Sequence, residues 1–303
     1  MQNVQTICKG CGQPIWGSYL HALGAAWHSE HFVCTACARP IGNTSFQLHQ
    51  DAPYHAECYN QQIAPRCAYC GKPLVDEYFI DHWGQQYCKA HQDQYQHCDY
   101  CGRLISPDQM ERKADAIRCP ICRSSSIEAD IEAKPLFSQA IRWVSSQGLT
   151  YNNLRLELKL CDRQKLAQLL QGHSHMLGAT FGTSIQNGPV VRTEVNGIAV
   201  LQGLPATLFQ GVTVHELGHV WLIVQGIRDL PAWAEEGFCE LLSYRYYNDL
   251  HTQESIFHSE GIEQNPNSTY GDGFRRIRAL SDALGFPRFL EILRTTKRLP
   301  SRA

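Results

Sequence analysis

The chain has 303 residues, enough for two or three domains. With 27 Lys and Arg against 29 Asp and Glu the formal charge is −2, and 43% hydrophobic with 18% charged residues is the composition of a folded globular protein, so neither disorder nor a polyanion partner is implied. The longest purely apolar run, Val220 to Val224, is too short to cross a bilayer, and residues 1–15 lack the apolar core and cleavage site of a secretory signal.

Cysteine usage divides the chain. Twelve of the 14 Cys lie before residue 123, in pairs of the form C/H-x-x-C/H. A disulfide framework has no reason to repeat that spacing with His mixed in, whereas tetrahedral zinc cages do. Zinc thiolates in a reducing, cytoplasmic setting are therefore expected. Taken in order, the pairs give four cages: Cys8, Cys11, His28 and His31; Cys34, Cys37, His55 and Cys58; Cys67, Cys70, Cys88 and His91; Cys98, Cys101, Cys119 and Cys122. The spacer between the two pairs of a cage is 16 residues in the first and 17 in the other three, an internal repeat. Modules of this size bury little core, so metal should supply most of their folding energy.

The first two cages are separated only by Phe32 and Val33, with Trp27 before one pair and Tyr54 before another. That arrangement resembles a LIM domain. The third and fourth cages are joined by six residues and read as LIM-like. Such closed sites hold structural zinc, and the resemblance implies protein binding or regulation. Residues 1–127 carry 10 basic against 11 acidic side chains, so no nucleic-acid face is expected, and no membrane contact either.

Residues 123–134 are polar and Ser-rich and read as a linker. A helix is expected from Pro135 as a first-turn proline, then a strand through Leu154, Leu156, Leu158 and Leu160, and a helix capped by Asp162. Strands follow at 176–186 and 189–201, the second with a tight turn at Asn196-Gly197. Helices are expected at 205–225, 231–248, 270–284 and 286–297. Strands followed by helices predict an α+β domain. The division expected is 1–62, 63–126 and 127–303.

The chemistry sits in the first two of these helices. His215-Glu216-x-x-His219 places two imidazoles one turn apart on one face, with Glu216 beside them to touch a metal-bound water. Downstream, Trp233-x-x-Glu236-Gly237 opens the next helix, with sixteen residues between His219 and Glu236. This resembles the gluzincin metallopeptidases, a zincin-like class. The resemblance implies Glu236 as third zinc ligand, Glu240 as hydrogen-bond partner of a ligand His, and Tyr270 as a candidate oxyanion donor. Glu235 competes with Glu236, and Tyr244, Tyr246 and Tyr247 compete with Tyr270. A catalytic zinc would then join four structural ones, with Glu216 as general base. The strand at 189–201 is expected to offer its edge to an extended protein substrate.

Cages followed by a gluzincin stretch, with Gly203-Leu-Pro205 and Glu235-Glu-Gly-Phe-Cys239, resemble the LIM-containing, ubiquitin-activated peptidases of plants. The resemblance implies limited cleavage of protein substrates. Those proteins carry ubiquitin-interacting helices ahead of the LIM domain, whereas the first ligand here is residue 8, so a relative lacking them is expected and ubiquitin is the least supported partner. The competing reading is a LIM adaptor whose peptidase-like domain is inactive. Cys161 and Cys239 are expected as buried thiols, His173 and His175 as loop residues, and Arg275, Arg276 and Arg278 as a solvated helix face.

Overall fold

The computed structural model describes residues 5–113, 116–152, 154–170, 176–187 and 190–300. The chain is a mixed helix and small-sheet protein that divides into two compact units, one ending at Tyr95 and one starting at Gln96. His173 and His175 lie outside the described residues.

The first unit is built from two-stranded ribbons and two short helices. Strands β1 (Leu20–Ala22) and β2 (Ala25–Trp27) pair, as do β3 (Phe46–His49) and β4 (Ala52–His55), followed by α1 (Ala56–Gln62). Strands β5 (Tyr78–Ile80) and β6 (Gln86–Cys88) then lead into α2 (Lys89–Gln94). Its apolar core is small: Phe32, Cys34, Ile41 and Tyr54 form one buried cluster. Phe32, one of the two residues between the first two cages, is completely buried beneath Trp27 and Phe46. So short a junction forces both cages onto one core.

The second unit begins with the fourth cage. Its ribbons are β7 (Gln96–His97) with β8 (Leu104–Ile105) and β9 (Glu111–Lys113) with β10 (Ala116–Arg118), followed by α3 (Pro120–Ser124). The segment expected as a linker is tied down instead. Ile127 donates its N–H to the Leu204 carbonyl, and Ala206 donates to the Ser125 carbonyl. Buried Arg118 joins Glu111, Glu128 and the Gly203 carbonyl. The following helix, α4 (Asp130–Ser146), starts five residues before Pro135, which lies inside it. Glu132 accepts N–H donors from Glu128 and Ala129, and this early cap moves the start upstream of the proline.

A three-stranded sheet follows, in the order β11 (Glu157–Cys161), β13 (Val190–Leu201), β12 (Gly178–Asn187). Strand β11 runs parallel to β13, and β12 antiparallel to it. Between them in sequence, α5 (Arg163–Leu169) is capped by Asp162, whose carboxylate accepts the Lys165 N–H at 2.8 Å. Asn196-Gly197 does not turn the chain. The register slips at Phe181/Gly182, leaving Asn196 as an extra residue in a bulge, and the strands reverse where Asn187 pairs with Val190. Strand β11 covers β13 only from Gly197 to Leu201, so residues 190–195 of β13 pair with β12 alone among the described strands, and the outer strands are β11 and β12.

Five helices complete the unit: α6 (Ala206–Val224), α7 (Ala232–Leu250), α8 (Gln253–Gln264), α9 (Gly271–Leu284) and α10 (Phe286–Thr296). Helix α6 is buried almost all round, including Phe209, Val214, Leu217, Val220 and Trp221, which marks it as the centre of the unit. It packs against β12 and β13 and against α4 and α7. Helices α7 and α9 touch through backbone. A Cβ on Gly237 would lie 2.4 Å from the Gly273 carbonyl carbon, and one on Gly273 would lie 2.2 Å from the Trp233 oxygen. Gly237→Ala is therefore expected to destabilise this unit by about 1–3 kcal/mol through overpacking. Helix propensity alone would give the opposite sign by roughly 1 kcal/mol, so the midpoint of a urea titration separates the two effects.

Candidate metal centres and cleft

All four expected cages assemble. Ligand atoms of each lie within 4.8 Å of one another. Cys11 Sγ is 3.4 Å from His28 Nδ1, Cys37 Sγ 3.4 Å from His55 Nδ1, and Cys67 Sγ 3.3 Å from His91 Nδ1. Tetrahedral zinc, with bonds of about 2.3 Å to sulfur and about 2.0 Å to nitrogen, sets S···N separations near 3.5 Å, so the donor sets fit. The tight turns add charge stabilisation. His28, His55 and Cys119 donate backbone N–H groups to the sulfurs of Cys8, Cys34 and Cys98. Burial pushes the Cys34 thiol up, but N–H donors from His55, Cys37 and Ala36 outweigh it and hold it at about 6. In the fourth cage all four thiols are buried.

A fifth cluster lies on α6 and α7. Their packing brings a Glu236 carboxylate oxygen to 3.2 Å from His215 Nε2 and 3.6 Å from His219 Nε2. Ligands about 2.0–2.1 Å from a tetrahedral zinc stand roughly 3.3–3.4 Å apart, so Glu236 is placed to share an ion with the imidazoles, and Cys239, within 4.8 Å of both His, is a further candidate donor. The Nδ1 atoms face other carboxylates: His219 meets Glu235 at 3.0 Å, and His215 meets Glu240 at 3.6 Å. Glu235 thus reaches the far side of the His219 ring and not the shared point. Glu240 stands at ion-pair rather than hydrogen-bond distance. The electrostatics favour a cation. Burial raises the Glu236 carboxyl, but hydrogen bonds from His215 and His219 override it and hold it at about 2. Burial also works against protonated His215 and His219, yet the surrounding acceptors raise both.

Glu216 is buried, and Thr180 on β12 donates its hydroxyl to a Glu216 carboxylate oxygen at 2.9 Å and to the Glu216 carbonyl at 3.1 Å. Nothing in the spacing of Thr180 marks it out, because only the β12–α6 packing brings it there. Gly178 has the same cause: a Cβ there would lie 2.7 Å from Glu216 Oε1. Tyr270, at the start of α9, points its hydroxyl toward Met176 Sδ at 3.7 Å. Burial and the Glu236 charge push it up to about 12, so it keeps its proton. Of its competitors, Tyr244 hydrogen-bonds Glu263 and Tyr246 is a core residue, while Tyr247, also buried, lines the same cleft as Tyr270.

Cys161 and Cys239 are buried, as expected of both. Cys239 has a neighbour that its sequence position conceals, His219 on the packed helix. Burial pushes its thiol up to about 12, so it stands there neutral. Arg275 and Arg276 are exposed, as expected of a solvated face, and Arg278 is half-buried, but all three have partners. Arg278 pairs with Glu263 and lies over Tyr244, Arg275 binds the Glu263 and Asn265 carbonyls, and Arg276 lies over Trp233. They fasten α9 to its neighbours.

His215 of the fifth cluster, with Glu216, Glu240 and Tyr270, lines a cleft of ≈ 550 Å³. No helix among the described residues is long and apolar enough to cross a membrane.

These features define a LIM-domain protein: the LIM model matches residues 8–63, over the first two cages. A second model, described as DA1-like (Protein DA1), matches residues 147–256, which hold the sheet, α6 and α7. The chain is homologous to plant DA1, DA1-related and HDR3 proteins. It is 27% identical to the LIM domain-containing protein HDR3 of Oryza sativa subsp. japonica, over 97% of this chain and 74% of that one. To Protein DA1 of Arabidopsis thaliana it is 26% identical, over 97% of this chain and 68% of that one. To Protein DA1-related 2 of the same plant it is 27% identical, over 98% and 70%. LIM domains point to protein interactions.

Proposed function

We propose that the chain is a zinc-dependent endopeptidase that makes limited cleavages in protein substrates, with LIM modules (1–62 and 63–126) serving binding or regulation of a gluzincin-like, zincin-type domain (127–303). The observation that carries this is the approach of a Glu236 carboxylate oxygen to both His215 Nε2 and His219 Nε2, with His215 also lining the cleft. Three protein ligands leave a fourth position open, unlike the four-ligand cages. One catalytic and four structural zincs are expected per chain, in a reducing compartment.

When bound, zinc in such a site supplies Lewis-acid polarisation of a carbonyl and acidification of water. Glu216, oriented by Thr180, takes the proton from water and delivers it to the leaving amine. Tyr270 keeps its proton and donates to the oxyanion. Glu235 holds the far side of His219 and Glu240 that of His215. The free edge of β12, next to Glu216, is the place for an extended peptide to pair. Tyr270→Phe is expected to lower kcat about 10²-fold with KM little changed and metal content intact, as steady-state kinetics with metal analysis would show.

The test is incubation of the purified chain with candidate proteins, with and without chelator. Cleavage that chelation stops and added zinc restores is expected. Partner binding with no cleavage of any candidate would favour the second reading, a LIM adaptor, which the protein-binding character of LIM modules motivates.

A further inference from the structure

The fourth cage is folded into the same compact unit as the cleft and supplies part of its wall. Its Cys98-Asp99-Tyr100-Cys101 turn is held by two ties to Ile117: Asp99 N–H donates to the Ile117 carbonyl, and Ile117 N–H donates to the Asp99 carboxylate Oδ2. Next along the turn, Gly102 abuts α8, where a Cβ would lie 3.3 Å from the Phe257 ring. Asp99 and Phe257 both line the cleft. The same lining includes the apolar Leu208 and Val212 of α6 and Ile262 of α8. No Lys or Arg is among the lining residues. Asp99 is exposed, its Oδ1 has no hydrogen-bond partner among the described residues, and its position is fixed by the cage behind it.

A cleft wall that combines apolar side chains with a fixed carboxylate suits a side chain with an aliphatic stem and a cationic head. From this geometry we infer that the Cys98–Cys101 turn forms a substrate subsite, with Asp99 selecting a Lys or Arg side chain of the bound polypeptide. The inference deepens the peptidase reading and rests on it for the identity of the bound chain. Phe257, Leu208 and Val212 cover the methylenes, and Asp99 Oδ1 accepts the ammonium or guanidinium. Glu and Asp side chains are repelled there.

The test uses the full zinc-loaded chain and a set of peptides that differ only in carrying Lys, Ala or Glu at each position around one cleaved bond. At one position Lys should exceed Glu about tenfold in kcat/KM. Asp99→Asn keeps an acceptor for the Ile117 N–H and should abolish the preference while leaving the metal count unchanged. Fluorescence anisotropy with Glu216→Gln should give the same order of binding, Lys over Ala over Glu, and Glu216→Gln/Asp99→Asn should bind all three alike. A Lys preference that survives Asp99→Asn, or no charge dependence at any position, overturns the subsite while Glu216-dependent cleavage leaves the peptidase reading standing. If no cleavage occurs, that reading fails by itself, and anisotropy still decides whether Asp99 selects a cation.

Discussion

A Glu216→Gln chain is expected to keep all five zincs and to lose cleavage by roughly 10³-fold or more, within or above the range for removal of a positioned general base. Glutamine matches the size of glutamate and still accepts the Thr180 hydroxyl through its amide oxygen, so the β12–α6 contact survives. What is lost is the basic carboxylate. Glu216 is not among the three atoms converging on the metal point, so metal analysis should return the wild-type value. Equal cleavage by both chains would rule out the mechanism. Loss of metal along with activity would mean that Glu216 acts as a ligand or brace instead.

Cys119→Ser in the fourth cage is expected to cost far more stability than its position near the middle of the chain suggests. Structural zinc contributes about 10–16 kcal/mol of apparent binding energy in small modules, against about 5–15 kcal/mol for the whole stability of a domain. All four thiols of this cage are buried, and the segment behind it is bonded to the entrance of α6 through Ser125, Ile127 and Arg118. The cage therefore unfolds together with the sheet and helices, and cleavage goes with it. Cys34→Ser, in the first unit, should release one metal and leave the thermal transition of the second unit in place. Calorimetry combined with metal analysis of both variants checks this. A Cys119→Ser chain with an unchanged second transition would sink the idea.

Some features were legible because they depend on spacing alone. Sequential x-x pairs close a cage whatever surrounds them, so all four donor sets assemble as read from Cys8 to Cys122. The i, i+4 interval of His215 and His219 follows from helical pitch. Other features were not legible. Asn196-Gly197 carries a turn signal, but the register across β12 makes it a bulge. Pro135 carries a helix-start signal, but Glu132 caps the helix earlier. Residues 123–134 have linker composition, yet their backbone groups pair with the 203–206 segment, a contact no local pattern encodes.

The same division runs through the candidate site. The sequence by itself determined which side chains can hold metal, because donor chemistry and local spacing are properties of short segments. Only the tertiary structure decided which of them share a point. Glu235 and Glu236 are neighbours in sequence, and the crossing of α7 on α6 sends one to the Nε2 side of the imidazoles and the other to His219 Nδ1. It also decided that Thr180 meets Glu216 and that Asp99 stands in the cleft wall. Thr180 and Glu216 stand 36 positions apart, and such contacts are set by how buried helix and sheet faces pack, for which local sequence carries no signal.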